Sequence, residues 1–102
     1  MSTHRFENPD LDLDVEVEEP KLYKVLLHND DYTPMDFVIF VLKKFFGKND
    51  PDAHQIMLDV HNKGAGLAGV FSFEVAESKV AQVNQFSKTN QHPLMTSYEE
   101  ES

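Results

Sequence analysis

Leu22-Tyr23-Lys24-Val25-Leu26-Leu27-His28-Asn29-Asp30-Asp31-Tyr32-Thr33-Pro34-Met35-Asp36 is the stretch that decides the architecture of this chain. Leu22–Leu27 mixes aliphatic, aromatic and β-branched residues and reads as a strand. Asn29-Asp30-Asp31-Tyr32 has turn chemistry, because Asn and Asp side chains accept hydrogen bonds from the backbone just ahead of them. Thr33-Pro34-Met35-Asp36 then opens a helix on three agreeing signals. Thr33 is the expected N-cap, Pro34 stands at the first helical position, and Asp36 completes a Thr-x-x-Asp box.

Working outward, this helix runs to Phe46 and stops at Gly47. A second begins at once, with Asp50 as cap, Pro51 first and Asp52 suited to the helix dipole. Ala53, Ile56, Met57 and Val60 share its apolar face, and Gly64 ends it. Leu67–Phe71 reads as a second strand and Ser72 as the cap of a third helix. Ala76, Val80, Val83 and Phe86 give that helix its buried stripe, His92-Pro93 ends it, and Leu94–Tyr98 is a last short strand. The expectation is an α+β domain, a small three-stranded antiparallel sheet with three helices packed on it, in the order β-α-α-β-α-β.

The chain has 102 residues, room for one domain, and its eight Phe and three Tyr supply material for a core. With no cysteine, a disulfide scaffold, a Cys-based zinc site and a thiol nucleophile are excluded. The net charge of −9 disfavours nucleic acid, which selects basic surfaces. That charge is uneven. Residues 1–20 hold seven acids and one Arg, a net of −6, and Glu99, Glu100 and Glu101 add −3. Residues 21–98 carry eight acids and eight Lys, and are neutral. The chain therefore divides into a flexible acidic N-terminal extension (1–20), a neutral domain (21–98) and an acidic C-terminal tail (99–102). Leu11–Glu18 alternates apolar and acidic residues as a half-buried strand does, but the run of like charges reads as a solvated tail. The longest apolar run, Phe37–Leu42, is six residues, against about 20 for a membrane helix. The first 20 residues lack the pattern of a secretion signal, so the expected compartment is the cytoplasm.

Three motifs fail their structural context. Gly64-Ala65-Gly66-Leu67-Ala68-Gly69 matches G-x-G-x-x-G, but dinucleotide binding needs a strand before it and a helix after it, and the expected order here is the reverse. Gly64 reads instead as a helix stop, with Gly66 and Gly69 at bends or close backbone approaches. His54 and His61 lie roughly 10 Å apart along one helix at 1.5 Å per residue, too far to share a metal. Strand–Asn-Asp-Asp–helix is also the beginning of a receiver-like acid pocket for Mg²⁺ and phosphoryl transfer. That pocket needs a further Asp at the end of a later strand, but after Asp36 the domain's aspartates are Asp50, Asp52 and Asp59, all in the second helix region, and alternating parallel strands do not fit in roughly 80 residues.

One constellation survives. Asn29, Asp30 and Asp31 bring three oxygen-bearing side chains to one junction. An Asx-type turn accounts for one of them; a site for a cation or ammonium group accounts for all. His61 stands at the margin of the second helix's apolar face, where a half-exposed histidine near a helix C-terminus is the plainer reading. Met35, Val38, Met57 and Val60 read as core by spacing, and methionine also suits an adaptable pocket wall.

The stretch from Leu22 to Val38 resembles the signature of the ClpS adaptor family, Asn29-Asp30-Asp31-Tyr32-Thr33-Pro34-Met35 being its most specific part. The resemblance continues through Met57-Leu58-Asp59-Val60-His61, Gly69-Val70-Phe71, Glu74–Ala81 and His92-Pro93-Leu94, and so covers essentially residues 21–98. It implies a monomeric, non-catalytic adaptor with no metal or cofactor. Such an adaptor recognises the N-terminal Leu, Phe, Tyr or Trp of N-end rule substrates and hands them to the ClpA-type AAA+ unfoldase for degradation by ClpP. Carried onto this chain, Asn29, Asp31 and His61 hold the substrate's α-amino group, with Asp30 alongside. Thr33, Met35, Val38, Met57, Val60 and Leu94 wall the side-chain pocket. Glu74 and Lys79 meet the unfoldase N-terminal domain, and the acidic extension engages the unfoldase machinery. Two features stand outside this pattern. His28 replaces an apolar residue next to the pocket, and Phe40 falls on a polar helical face with Asp36 and Lys43 as an exposed aromatic.

Overall fold

A computed structural model describes residues 3–8, 13–18 and 20–102. In chain order the elements are β1 (Thr3–Asn8), β2 (Leu13–Glu18), β3 (Leu22–His28), α1 (Met35–Phe46), α2 (Asp50–Lys63), β4 (Ala65–Ser72), α3 (Phe73–Thr89) and β5 (Met95–Glu100). From β3 onward the order is the expected β-α-α-β-α-β. The three strands form one antiparallel sheet in the order β4-β3-β5. This topology removes the receiver-like alternative, which requires parallel strands.

Both chain ends depart from the sequence reading. Where residues 1–20 read as a solvated tail, β1 and β2 pair antiparallel, with Arg5 opposite Glu16 and Phe6 opposite Val15. Leu13–Glu18, whose alternation has the period of a strand, pairs along its length with Thr3–Asn8. At the other end Glu99 and Glu100 belong to β5. Glu99 pairs with Lys24 and Glu100 with Lys21, each at 3.3 Å, so the acids at the end of the chain extend the sheet beyond the expected strand.

Strand alternation sets the faces. Val25 and Leu27 are fully buried against the helices, while Lys24, Leu26 and His28 point to the opposite face. Between Val25 and Leu26 the register steps from Gly69 to Leu67, leaving Ala68 as an extra residue that is itself buried. The core joins Val25 and Leu27 to Val38, Val41 and Leu42 of α1, Ala53, Met57 and Val60 of α2, and Ala76 and Val83 of α3. Phe86 on α3 takes Phe37 and Phe40 of α1 in stacked contacts and Phe45 edge-on. Phe40 is thus half exposed and half packed, more engaged than a lone surface aromatic.

The helix ends show where local signals were outbid. Gly47 and Gly64 stop α1 and α2 in the left-handed conformation, at φ 62° and 91°, as glycine allows. Asn49, one residue before the expected Asp50, caps α2 by accepting the Asp52 N–H at 2.9 Å. Thr33 does not cap α1: Pro34 occupies the N-cap and makes no side-chain bond, because Thr33 is already committed to Asp30.

Candidate functional site

β3 delivers the chain to the carboxyl end of α2. The Asn29 N–H donates to the carbonyl of Gly64 at 2.9 Å, tying the loop after β3 to the residue that terminates α2. This one bond sets Asn29 beside the last turn of α2, which carries His61. The next residue folds the loop back on itself. Asp30 Oδ1 accepts the N–H groups of Tyr32 (2.8 Å) and Thr33 (2.7 Å), and Oδ2 accepts the Thr33 hydroxyl at 2.7 Å. Burial pushes the Asp30 carboxyl up, but the Thr33 hydroxyl, the two N–H donors and the nearby His92 outweigh it and hold the group below its ordinary range. Asp30 is therefore the Asx turn, and its neighbours are left for other work.

The loop, the start of α1 and one face of α2 enclose a cavity of about 380 Å³. Its lining brings together Asn29, Asp30, Asp31, Thr33, Met35, Val38, Met57, Val60 and His61, nine of the residues singled out from the sequence, and adds Pro34. Val38, Met57 and Val60 form an apolar floor, each less than a tenth exposed. Met35, the first residue of α1, stands at the rim at 46% exposure. Asn29, Asp31 and His61 are exposed at the mouth. Pro34 was overlooked because its role at the helix start hid its ring, which borders the cavity.

Leu94, expected on the pocket wall, and His28, expected beside it, do not line this cavity, and Glu74 and Lys79, expected at the unfoldase interface, lie apart from it. Leu94 is 2% exposed, belongs to the core and borders a separate groove with His92 and Met95, so it does not line this cavity. β5 begins only at Met95, and Leu94, just before it, packs into the core. His28 is turned to the far face of the sheet, where its Nε2 meets the Ser97 hydroxyl at 2.6 Å on β5; it adds no polarity to the cavity. Glu74 is exposed in the first turn of α3, away from the cavity. Lys79 is half-buried, donates to the Phe45 carbonyl at 2.6 Å and lies over the Phe46 ring, so it caps the end of α1.

A second glycine effect shapes the cavity. Gly66 on β4 faces α2, and a Cβ there would lie 2.7 Å from Val60 Cγ2 and 2.9 Å from the Ile56 carbonyl oxygen. Its lack of a side chain lets α2 settle on the sheet with Val60 and His61 at the cavity. The G-x-G-x-x-G match thus follows a helix and lies in a strand, the reverse of a pyrophosphate cradle. Among the described residues no group of three or more His, Cys, Asp or Glu could hold a metal ion, and no helix is long and apolar enough to cross a membrane. What the arrangement offers is a small apolar hole with hydrogen-bond acceptors and one exposed carboxylate at its mouth. That combination suits an ammonium group joined to a hydrophobic side chain.

Comparison with known proteins agrees with this geometry. The family model described as ATP-dependent Clp protease adaptor protein ClpS matches residues 18–97. The ATP-dependent Clp protease adapter protein ClpS of Bdellovibrio bacteriovorus is 55% identical over 99% of this chain and 92% of its own length. That of Shewanella loihica is 59% identical over 84% of both chains. Among solved structures, Agrobacterium tumefaciens ClpS2 bound to L-phenylalaninamide superposes with a TM-score of 0.79 at 38% identity, covering 81% of this chain and all of that one. A match across nearly the whole domain, in sequence and in topology, places the chain in the ClpS family, the adaptor proteins of the ATP-dependent Clp protease.

Proposed function

We propose that this protein binds the first residue of other proteins when that residue has a free α-amino group and a Leu, Phe, Tyr or Trp side chain. It then delivers them to a ClpA-type AAA+ unfoldase for degradation by ClpP. The observation that carries the reading is the division of the 380 Å³ cavity into an apolar floor and an acceptor-bearing mouth. An α-ammonium group has three donors and a charge, and Asn29, Asp31 and His61 supply oxygen, carboxylate and ring-nitrogen acceptors. Val38, Met57 and Val60 take the side chain, worth about 1.5–3 kcal/mol for one large apolar group. The volume lies at the small end of ligand pockets, roughly 300–1,000 Å³, which suits one residue and not a cofactor. The ligand of the Agrobacterium relative has the same chemistry: a free amine, a benzyl side chain, and an amide where a peptide bond would continue.

Nothing in this role is catalytic; the protein acts in the cytoplasm by binding alone, as a monomer. Exposed Glu74 and half-buried Lys79 contribute to the contact with the unfoldase N-terminal domain, and the acidic residues 1–20 engage the unfoldase during delivery. The test is titration of a fluorescent peptide beginning with Phe against its N-acetylated twin. Acetylation removes the charge and two donors and leaves acceptors unpaired, at about 1–3 kcal/mol per buried group. Binding of the free-amine peptide alone is expected; equal binding of both, or of neither, overturns the reading. Removal of residues 1–20 should leave peptide binding intact and impair degradation by ClpA-type unfoldase with ClpP.

A further inference from the structure

A strand at the end of a sheet turns every second residue's backbone groups away from its partner, and those groups are a template for another strand. β5 is such a strand, at the outer position of the order β4-β3-β5. The Glu101 N–H turns inward to the Leu22 carbonyl at 2.8 Å. By the alternation of an antiparallel ladder, Thr96, Tyr98 and Glu100 therefore turn their N–H and C=O groups outward. At Thr96 those groups are taken. The Asn84 side chain on α3 donates from Nδ2 to the Thr96 carbonyl at 3.1 Å and accepts the Thr96 N–H on Oδ1 at 2.9 Å, as a residue of a neighbouring strand would. A groove of about 470 Å³ lies at the start of β5, with Asn84, Lys88 and Met95 in its walls. The opposite edge, β4, is interrupted by its extra residue Ala68.

We propose that the outer edge of β5 fits the same edge of a second copy of this chain, and that Asn84 holds it shut and so keeps the protein a monomer. The inference rests on the monomeric reading above and gives its cause. The register that charge selects is antiparallel and centred on Tyr98. It sets Ser97 opposite Glu99 and Thr96 opposite Glu100 of the second copy, so that no two glutamates face each other. Centring on Glu100 would instead set Glu100 opposite itself and Glu99 opposite Glu101. Glu99 and Glu100 already face Lys24 and Lys21 at 3.3 Å, which lowers the repulsion between two such strands. Glu101 of the second copy falls opposite Met95, at the groove where Lys88 is exposed. In this register the hydrogen-bonded pairs are Thr96–Glu100, Tyr98–Tyr98 and Glu100–Thr96. Asn84 of each copy occupies Thr96, which withdraws both outer pairs and leaves the central one. A single pair does not offset the freedom that two proteins lose on association.

The test is the mass of the full chain in solution, measured by light scattering over a concentration series. The wild-type chain is expected to be a monomer throughout. Asn84→Ala should associate at least about a hundredfold more tightly than the wild type, about tenfold for each outer pair restored, and run as a dimer at the upper concentrations. Glu100→Pro removes an outward N–H that β3 does not use, so adding it to Asn84→Ala should return the chain to a monomer. An Asn84→Ala protein that keeps the wild-type mass at every concentration overturns the proposal, as does a dimer that Glu100→Pro leaves intact. Should Asn84→Ala fail to fold, Asn84→Ser decides. Its side chain is too short to hold both Thr96 groups, so it should dimerise in the same way, and a monomer refutes the role of Asn84. A wild-type chain that is already a dimer overturns the monomeric reading itself, and the role of Asn84 with it.

Discussion

Replacing Gly66 with alanine tests how closely α2 must lie on the sheet for the cavity to exist. The new Cβ would stand 2.7 Å from Val60 Cγ2, about 1 Å inside the 3.5–4.0 Å optimum for carbon pairs. Rotating Val60 gives no escape, because the Ile56 carbonyl oxygen is 2.9 Å away and belongs to the helix backbone. The helix itself must move. Overpacking of this kind costs about 1–3 kcal/mol, and in a domain of this size each kcal/mol lowers Tm by roughly 4–8 °C. Because Val60 and His61 ride on α2, the same shift misplaces one cavity wall and one acceptor. Loss of a single well-aligned hydrogen bond weakens peptide binding by about tenfold. Gly47→Ala is the control. Its φ of 62° makes alanine costly by about 1 kcal/mol, yet no atom lies within 4 Å of the added Cβ and the cavity is not involved. Thermal unfolding followed by circular dichroism and peptide anisotropy at 25 °C should show Gly66→Ala losing both stability and affinity, and Gly47→Ala losing stability only. A Gly66→Ala protein that melts and binds like the wild type would refute the reasoning.

Other consequences follow from the same geometry. Met35, half exposed at the rim, should crowd the second Cβ substituent of Ile and Val, so Met35→Ala should admit a peptide beginning with Ile; continued rejection argues against a gate. The lowered Asp30 pKa means that its stabilisation is complete above the ordinary value of 3.8 and is lost as pH falls through the lower folded value. Thermal melts of Asp30→Asn should therefore lie below the wild type near neutrality and converge with it in acid, whereas parallel curves would sink the assignment. Lys79→Met should lower Tm, since it removes a cap worth about 1 kcal/mol from the Phe45 carbonyl, while Glu74→Ala should impair degradation with Tm nearly unchanged. Phe40→Ser should cost stability through the stack on Phe86; normal degradation by the variant would show that its exposed half contacts no partner.

Much of this was legible because the signals are local. A strand, a turn rich in Asn and Asp and a proline-led helix can each be read within a few residues, and glycine marks the ends of α1 and α2. The errors come from competition between local partners and from contacts distant in sequence. Thr33 had two possible partners, the helix N–H groups and Asp30, and the turn took it. Asn49 displaced Asp50 as cap by one residue. His28 adjoins the site in sequence and Leu94 was expected on its wall by resemblance, but strand alternation turns the first to the far face and the second is buried in the core. The β1–β2 pairing joins segments that looked like tail when each was read alone.

The sequence by itself determined the element order from β3 onward, the neutral charge of residues 21–98 between acidic ends and the residue types of the site, since these depend on periodicity, capping and composition. Only the tertiary structure decided which of those residues share a cavity. Asn29 and His61 are 32 positions apart, and nothing local brings them together. The Asn29–Gly64 bond does so, together with the space that Gly66 leaves for α2. The same packing separates two aspartates that are neighbours in the chain: a carboxylate whose lone pairs are filled by its own loop is structure, and one left at the mouth of the cavity is chemistry.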